Sequence, residues 1–581
     1  MSVFYSVQPE SFKLHISQKD GISHNGTFDS THIDLFACRN SFAAFQILLQ
    51  GTKRLCAGIG EEPWFSEYLD THVVHLRHKG QLDPIVNLMV IYKDNDGTEY
   101  ADRLMRDTVA TTPAGVPQGV FVRFELPETV NPGHYVGSFD IVESHLFDDE
   151  KVIGEITYSL EVSPYVLPAV QNWSVEMDLW QHNSSIAKQA AVPHWSDAHF
   201  ALMEEYIKPL ADLGQTNITV IATQVPWSGQ TCFLEPVPNN MFQYSMIPVE
   251  KAETGFVYDY SIMDRYIEMC FRYGIDRKIE VFGLIGNWVN EEHGFGNYTQ
   301  MPEAIRIRYK DMDGCYRYMR KAEDIQDYIR SLHDHFVEKG WIDKVRVIAD
   351  EPSNHAALRG TLEIIRSIAP QFQFKAAFYK KEFFDEFKDI IRDFCIIIPG
   401  IGLAMEQWQK IFREDRERCF TCYVCCWPMM PNIVLNSGLL EARYIPVFAS
   451  YFGLAGFLRW NYTVWTADPR KDITYSKWPA GDTNMVYPAP DATPELALRY
   501  FALRRGLEDY ELLQLLEKQD NGAVAKKLYD KVLHNRDVST FYNQHGEVMI
   551  PFHKISLATQ DDYDTFRKEA CATLVRRKEN V

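Results

Sequence analysis

The chain has 581 residues and a net charge of −20, with 46% hydrophobic and 24% charged residues. This is globular composition at a length that calls for roughly two to four domains. The acidic balance and the lack of a basic patch exclude phosphate-backbone binding, so no nucleic-acid partner is expected.

The opening Met1-Ser2-Val3-Phe4-Tyr5-Ser6 offers no basic region followed by an apolar run. No signal peptide is read, and a cytoplasmic location is expected. From there to about residue 165 the chain is written in short alternating runs. His32–Phe36, Ala44–Leu49 and Val120–Phe124 read as strands, and Asn131-Pro132-Gly133 is a turn that enters another. Alternation at this spacing predicts an antiparallel β-sandwich over residues 1–165. The region holds no cluster of acids and aromatics, so it is expected to supply no catalytic residue.

After Pro164-Tyr165-Val166-Leu167-Pro168 the grammar changes. Apolar strands now alternate with longer helical patterns, the signature of βα units on a parallel sheet. Eight strands are read: Ser174–Leu179, Asn217–Ala222, Ile279–Leu284, Val345–Ala349, Gln373–Phe378, Phe394–Ile398, Phe420–Cys426 and Gly456–Trp460. Between them, Tyr258–Tyr273 and Ala322–Lys339 carry apolar residues at helical spacing. Eight such units over residues 166–518 predict a (β/α)8 TIM barrel. Cys419–Leu440 and Tyr444–Leu458 lack charge and read as buried strands. The second is shorter than the roughly 20 residues a spanning helix needs, and no membrane insertion is expected. The 11 cysteines lack the spacing of a disulfide-stapled scaffold, which fits free thiols in a reducing compartment. Cys419, Cys422, Cys425 and Cys426 have no distant Cys/His pair to complete a site and read as structural thiols rather than a zinc site. No metal or other cofactor is expected. The last barrel helix is predicted over Thr493–Leu516, with Thr493 as N-cap and Pro494 at the first position. Ala523–His534 and Asp562–Lys578 then give a helical extension, residues 519–581, packed on the barrel.

The fourth strand stops at Asp350-Glu351-Pro352. Proline cannot continue a ladder, so both acids sit at the C-terminal tip, where parallel barrels build active sites. Successive strand residues face opposite sides, and a bend is needed to aim both acids into one pocket. The other tips carry aromatic and amide side chains. They are Trp180 and His182 after the first strand, Trp227 after the second, Asn287 after the third and Tyr379 after the fifth. Trp427 follows the seventh, Trp460, Asn461 and Trp465 the eighth, and Asp482 and Tyr487 lie in the next loop. One tryptophan alone is more often core than ligand. Recurrence at so many tips suits a sugar, with its CH faces and hydroxyl rims.

Several of these pieces together resemble glycoside hydrolase family 123, the β-N-acetylgalactosaminidases. They are Asp178-Leu179-Trp180-Gln181-His182, Pro226-Trp227, Ala349-Asp350-Glu351-Pro352, Pro431-Asn432, Leu458-Arg459-Trp460-Asn461 and Trp478-Pro479-Ala480-Gly481-Asp482. The helix Arg504-Arg505-Gly506-Leu507-Glu508-Asp509-Tyr510-Glu511 completes a likeness that covers nearly the whole chain. The resemblance implies a sandwich followed by a barrel, and a substrate ending in a β-linked N-acetylhexosamine. It implies retaining, exo-acting removal of terminal β-linked N-acetylgalactosamine from glycans such as glycosphingolipid oligosaccharides, assisted by the substrate's own acetamido group. Glu351 then serves as general acid and base, and Asp350 orients the acetamido N–H and stabilises an oxazoline-like intermediate. Tyr379 is the candidate for a bond to the acetamido oxygen. Such a mechanism suits adjacent acids, because an ordinary retaining enzyme needs carboxyls about 5–5.5 Å apart flanking the scissile bond. The nearby Asp350 charge is expected to raise the Glu351 pKa. Two alternatives stay open: a two-carboxylate retaining glycosidase with a nucleophile from another tip, and a catalytically silent glycan-binding protein. The residues do not give the oligomeric state.

Overall fold

The computed structural model describes residues 3–19, 21–60, 70–145, 147–227, 242–286, 291–475, 478–518 and 522–578. The N-terminal region is a seven-stranded and a six-stranded sheet. Their shared core includes Phe45, Ile47, Leu49, Val122, Phe124, Ile141, Ile156 and Leu160. The strand Ser41–Gly51 pairs antiparallel with Val3–Pro9 and with Gln118–Leu126. Alternation gives it two apolar faces. Phe45, Ile47 and Leu49 face the core between the sheets, whereas Phe42, Ala44 and Leu48 join the larger core that continues into the rest of the chain. Phe42 and Phe121 meet Phe501 at ring distances of 5.7 and 5.2 Å. The fully antiparallel pattern expected does not hold in the six-stranded sheet. There Arg54–Ile59 runs parallel to Thr71–Gly80, and Lys151–Val166 runs parallel to His32–Arg39. Alternation fixes which side chains face inward, not the direction of a partner strand.

Residues 176–459 build one parallel sheet of eight strands: Glu176–Leu179, Asn217–Ile221, Lys278–Phe282, Val345–Asp350, Gln373–Phe378, Asp393–Ile397, Cys419–Tyr423 and Gly456–Arg459. From the second onward each pairs with the next in sequence, and the eighth pairs with the first. The remaining seam is bridged where the Thr216 amide donates to the Met177 carbonyl at 2.9 Å. The result is a nearly closed barrel. All eight strands fall where read, although the seventh ends at Tyr423 rather than Cys426.

Two helices differ from expectation. Leu439–Phe452 is a helix, not the strand read over Tyr444–Leu458. It is buried on almost every side, so it shows no apolar stripe, and a short apolar run does not by itself distinguish strand from buried helix. Among the described residues no helix is long and apolar enough to cross a membrane. The final barrel helix spans Leu498–Glu517 rather than starting at Thr493. Pro494–Leu496 instead pairs with Val486–Pro488, and Thr493 donates to Asp491 within that turn. Glu495 overrides the capping signal: it is buried against Arg103 at 3.1 Å and accepts from the Arg106 amide at 2.9 Å.

The helix motif that carried part of the resemblance lies at the junction between the regions. Arg505 pairs with Glu10 and with Glu508, both at 2.9 Å, while Asp509 pairs with Arg443 at 2.6 Å and Arg567 at 2.8 Å. Arg567 comes from Gln560–Lys578, a helix that packs on the strands His32–Arg39 and Lys151–Val166 as well as on Leu498–Glu517. The extension therefore bridges both regions instead of covering the barrel alone.

Candidate active site

The barrel lumen is charged below and aromatic above. At the N-terminal end Lys278 pairs with Glu176 at 2.6 Å and Asp393 at 2.7 Å, and Arg346 pairs with Asp393 at 2.8 Å. One layer up, Lys375 lies 2.6 Å from Asp178 and 2.5 Å from Glu280. Burial, reinforced by Asp178, pushes the Glu280 pKa up to about 8. Asp178, part of the motif Asp178-Leu179-Trp180-Gln181-His182, thus belongs to the lumen. Above this layer Trp180, Phe282, Ile348, Tyr423, Leu458 and Trp460 form one apolar cluster with Trp227, against which Tyr379, Trp427 and Trp478 pack.

Arg346, Ile348 and Asp350 share the inward face of the fourth strand. By alternation Glu351 would point away. Its φ of +47° turns the chain at that residue. This left-handed conformation costs a non-glycine residue about 1–3 kcal/mol and gathers at functional sites. The Glu351 amide donates to the Ala377 carbonyl at 3.1 Å, which pins the bend. The carboxyl turns toward the cluster and accepts from the Tyr423 hydroxyl at 2.5 Å. Asp350 is buried, while Glu351 keeps solvent contact at the mouth. The protein packed around the Glu351 carboxyl disfavours its charged form and raises its pKa, and the Tyr423 hydrogen bond opposes that rise. Burial leads, rather than the Asp350 charge expected from the sequence.

Around this pair, Trp180 Nε1, His182 Nε2, Tyr379 Oη and Asn461 Nδ2 are buried without a hydrogen-bond partner among the described residues. Left unpaired in the interior each such group costs about 1–3 kcal/mol, and all four residues follow the C-terminal ends of barrel strands. His182 Nδ1 lies 3.2 Å from the Trp180 carbonyl, which can only accept. Nδ1 therefore carries the proton and Nε2 is an acceptor. Burial lowers the His182 pKa to about 3, so the ring is neutral. The set offers N–H donors, one ring acceptor and a phenol, a vocabulary suited to hydroxyls and an amide. Aromatic faces frame it. Trp227 lies 6.0 Å from Trp180 and 4.6 Å from His182, Trp460 lies 4.8 Å from Trp478, and Tyr379 meets Trp427 edge-on at 5.3 Å.

The other residues read as site members fall elsewhere. Asp482 is fully buried, bonded to Arg459 at 2.8 Å and accepting from Trp460 Nε1 at 3.2 Å. It holds Trp460 in place. Trp465 fills the core, donating to the Val486 carbonyl at 2.9 Å. Tyr487 donates to Asp102 of the N-terminal region at 2.6 Å and stacks on Tyr92. An aromatic after a barrel strand serves packing as readily as binding, and in these two packing wins. Asn287 lies outside the described residues. The grouped cysteines spread out: Cys419 Sγ lies on Glu176 at 3.2 Å, Cys422 Sγ on the Gly456 carbonyl at 3.7 Å, and Cys425 lies beside Cys426. Sequence reasoning missed Tyr423. The available signal was its place as the last residue of the seventh strand, in phase with inward-facing Cys419 and Thr421.

The sequence profile described as glycoside hydrolase 123, catalytic domain, matches residues 180–516, more than half of the chain. No curated protein matches the sequence. Among solved structures, a family 123 glycoside hydrolase from Clostridium perfringens, studied for the details of glycolipid glycan hydrolysis, is 16% identical with a TM-score of 0.75. That match covers 100% of this chain and 99% of the other and shows a shared fold. A family 10 xylanase with a bacterial Ig-like domain, from termite gut, is 11% identical with a TM-score of 0.30, covering 68% of this chain and 90% of that one. A likeness that partial carries no weight here.

Proposed function

This chain belongs to glycoside hydrolase family 123, and from that premise we propose that it removes terminal β-linked N-acetylgalactosamine from glycans such as glycosphingolipid oligosaccharides. It is a glycosidase, and its substrate is a carbohydrate. We take residues 166–518 as a (β/α)8 catalytic barrel, between a sandwich at 1–165 and an extension at 519–581.

In the proposed reaction the acetamido oxygen of the substrate attacks the anomeric carbon while Glu351 protonates the departing oxygen. The bond to the aglycone breaks and a cyclised oxazoline-like intermediate forms. Glu351, now ionised, deprotonates the water that opens it. Asp350 accepts the acetamido N–H and faces the positive charge that develops on the ring. The raised pKa of Glu351 favours the protonated form the first step requires. Tyr423 holds one carboxyl oxygen, which leaves the other for the leaving group. Trp180, His182, Tyr379 and Asn461 are the proposed polar contacts, and Trp227, Trp427 and Trp460 the proposed walls.

The observation that supports this reading is the bend at Glu351, which turns its carboxyl to Tyr423 at the end of the strand whose inward face carries Asp350. A two-carboxylate mechanism needs a second acid across the bond. Asp482, the other acid read as a site residue, is committed to Arg459 and Trp460. A chromogenic panel tests the proposal. Cleavage of the β-N-acetylgalactosaminide with none of the plain β-galactoside is expected. Equal cleavage of both would reject acetamido participation.

A further inference from the structure

The wall that carries Trp478 is built partly by the N-terminal region. The hairpin of Ile85–Lys93 and Glu99–Met105 reaches over to the loop that follows the eighth barrel strand. Tyr92 donates to the Pro469 carbonyl at 3.0 Å. In the hairpin turn, Asn95 Nδ2 donates to the carbonyls of Tyr475 and Trp478, both at 3.1 Å. Asp94 fixes that turn: it accepts from the Asn95 amide at 2.8 Å and from Asn436 Nδ2 at 2.7 Å. Further along, Asp102 is fully buried and accepts from Arg499 Nε at 3.0 Å. Arg499 in turn donates to the carbonyls of Ile433 and Gly481, both at 2.7 Å. With a further Arg499 bond to the Asn484 carbonyl at 3.2 Å, the Gly481 bond fixes the backbone on both sides of Asp482, which holds the Trp460 indole, and Trp478 packs on Trp460 at 4.8 Å.

We infer that Asn95 is a positioning residue for sugar binding: it sets Trp478, and through it the Trp460 wall, from outside the barrel. The inference rests on the reading of the barrel mouth as an N-acetylhexosamine site. It leaves the expectation that the sandwich supplies no catalytic residue as it stands, and adds that its hairpin fixes the surface a sugar ring meets. Both bonds run from one amide nitrogen, so they require a side chain with two N–H donors. Asn95 itself is solvent-exposed, in a turn closed by the Gly97 amide donating to the Asp94 carbonyl at 2.9 Å, a bond that does not involve its side chain.

Asn95→Asp is the decisive variant. It keeps size and turn preference, loses both donors, and sets a carboxylate against two carbonyl oxygens. Kinetics on the chromogenic β-N-acetylgalactosaminide and thermal melting are measured for wild type, Asn95→Asp and Asn95→Ala. Expected is an approximately tenfold loss of kcat/KM, in line with two lost hydrogen bonds, carried mainly by KM, with Tm little changed. Tryptophan fluorescence titration with N-acetylgalactosamine should show weaker binding by a similar factor. Wild-type KM and wild-type sugar affinity in both variants would overturn the inference, as would a loss that falls on kcat alone. If the wild type hydrolyses no substrate, the proposed reaction fails instead, and the sugar titration still decides the role of Asn95.

Discussion

Tyr423→Phe removes one oxygen and nothing else from the site. The ring is buried in the cluster above the lumen, and the hydroxyl it loses donates to Glu351 at 2.5 Å. A hydrogen bond to a charged group is worth about 1.5–3 kcal/mol. At about 1.36 kcal/mol per pKa unit, the full bond corresponds to a shift of about one to two units. Glu351 retains solvent contact, so water replaces part of the lost donation, and the lower end is expected, about one unit. The sign follows from which form the bond favours. Tyr423 stabilises the carboxylate, so its removal adds to the rise that burial already causes. A general acid must be protonated in the free enzyme, and the alkaline limb of kcat/KM against pH reports that pKa. The limb should therefore move to higher pH in Tyr423→Phe, with a modest loss on the plateau as the carboxyl gains freedom. The measurement is kcat/KM across the acid and neutral range for both proteins, on one substrate. An unmoved limb, or one displaced to lower pH, would refute the assignment of Glu351 as the acid that Tyr423 restrains.

Glu351→Gln should lower turnover by about 10²–10⁴-fold, and by much less on a dinitrophenyl glycoside, whose leaving group needs no proton; equal losses on good and poor leaving groups would count against an acid role. Lys375→Ala leaves Asp178 and Glu280 buried without their cation and should cost about 3–5 kcal/mol in urea unfolding, whereas a loss below about 1 kcal/mol would show that the lumen rehydrates. Gly546 has a φ of +77°, and a Cβ there would lie 1.9 Å from Trp427 Cζ2. Gly546→Ala should shift Trp427 off Tyr379 and lower kcat/KM by up to about 10²-fold, with unchanged kinetics as the contrary result.

The sequence made the barrel legible because its strands are short β-branched and aromatic runs between helical stretches, as in Val345–Asp350. The Asp350-Glu351-Pro352 stop was legible for the same reason. What escaped depends on tertiary context. The left-handed turn at Glu351 has no glycine to announce it. Tyr423 hides inside a run that reads only as strand. A carboxylate such as Asp178 looks the same in sequence whether it caps a strand or pairs with Lys375 in the lumen. Leu439–Phe452 lost its helical stripe because it is surrounded. Asn95 and Trp478 are 383 positions apart, a contact no local pattern announces.

The central claim is that the acetamido group of the substrate is the nucleophile and that Asp350 stabilises the cyclised intermediate. Asp350→Asn keeps an oxygen for the acetamido N–H and removes only the negative charge. A preorganised charge of this kind is worth about 10²–10³ in rate, so turnover should fall steeply while binding of the uncharged substrate changes little. A thiazoline analogue of the cyclised intermediate provides the most direct measurement, through its inhibition constant on the wild type and on Asp350→Asn. Strong inhibition of the wild type is expected, with a loss of affinity in the variant that parallels the loss in turnover. Equal thiazoline affinity in the two proteins would contradict it.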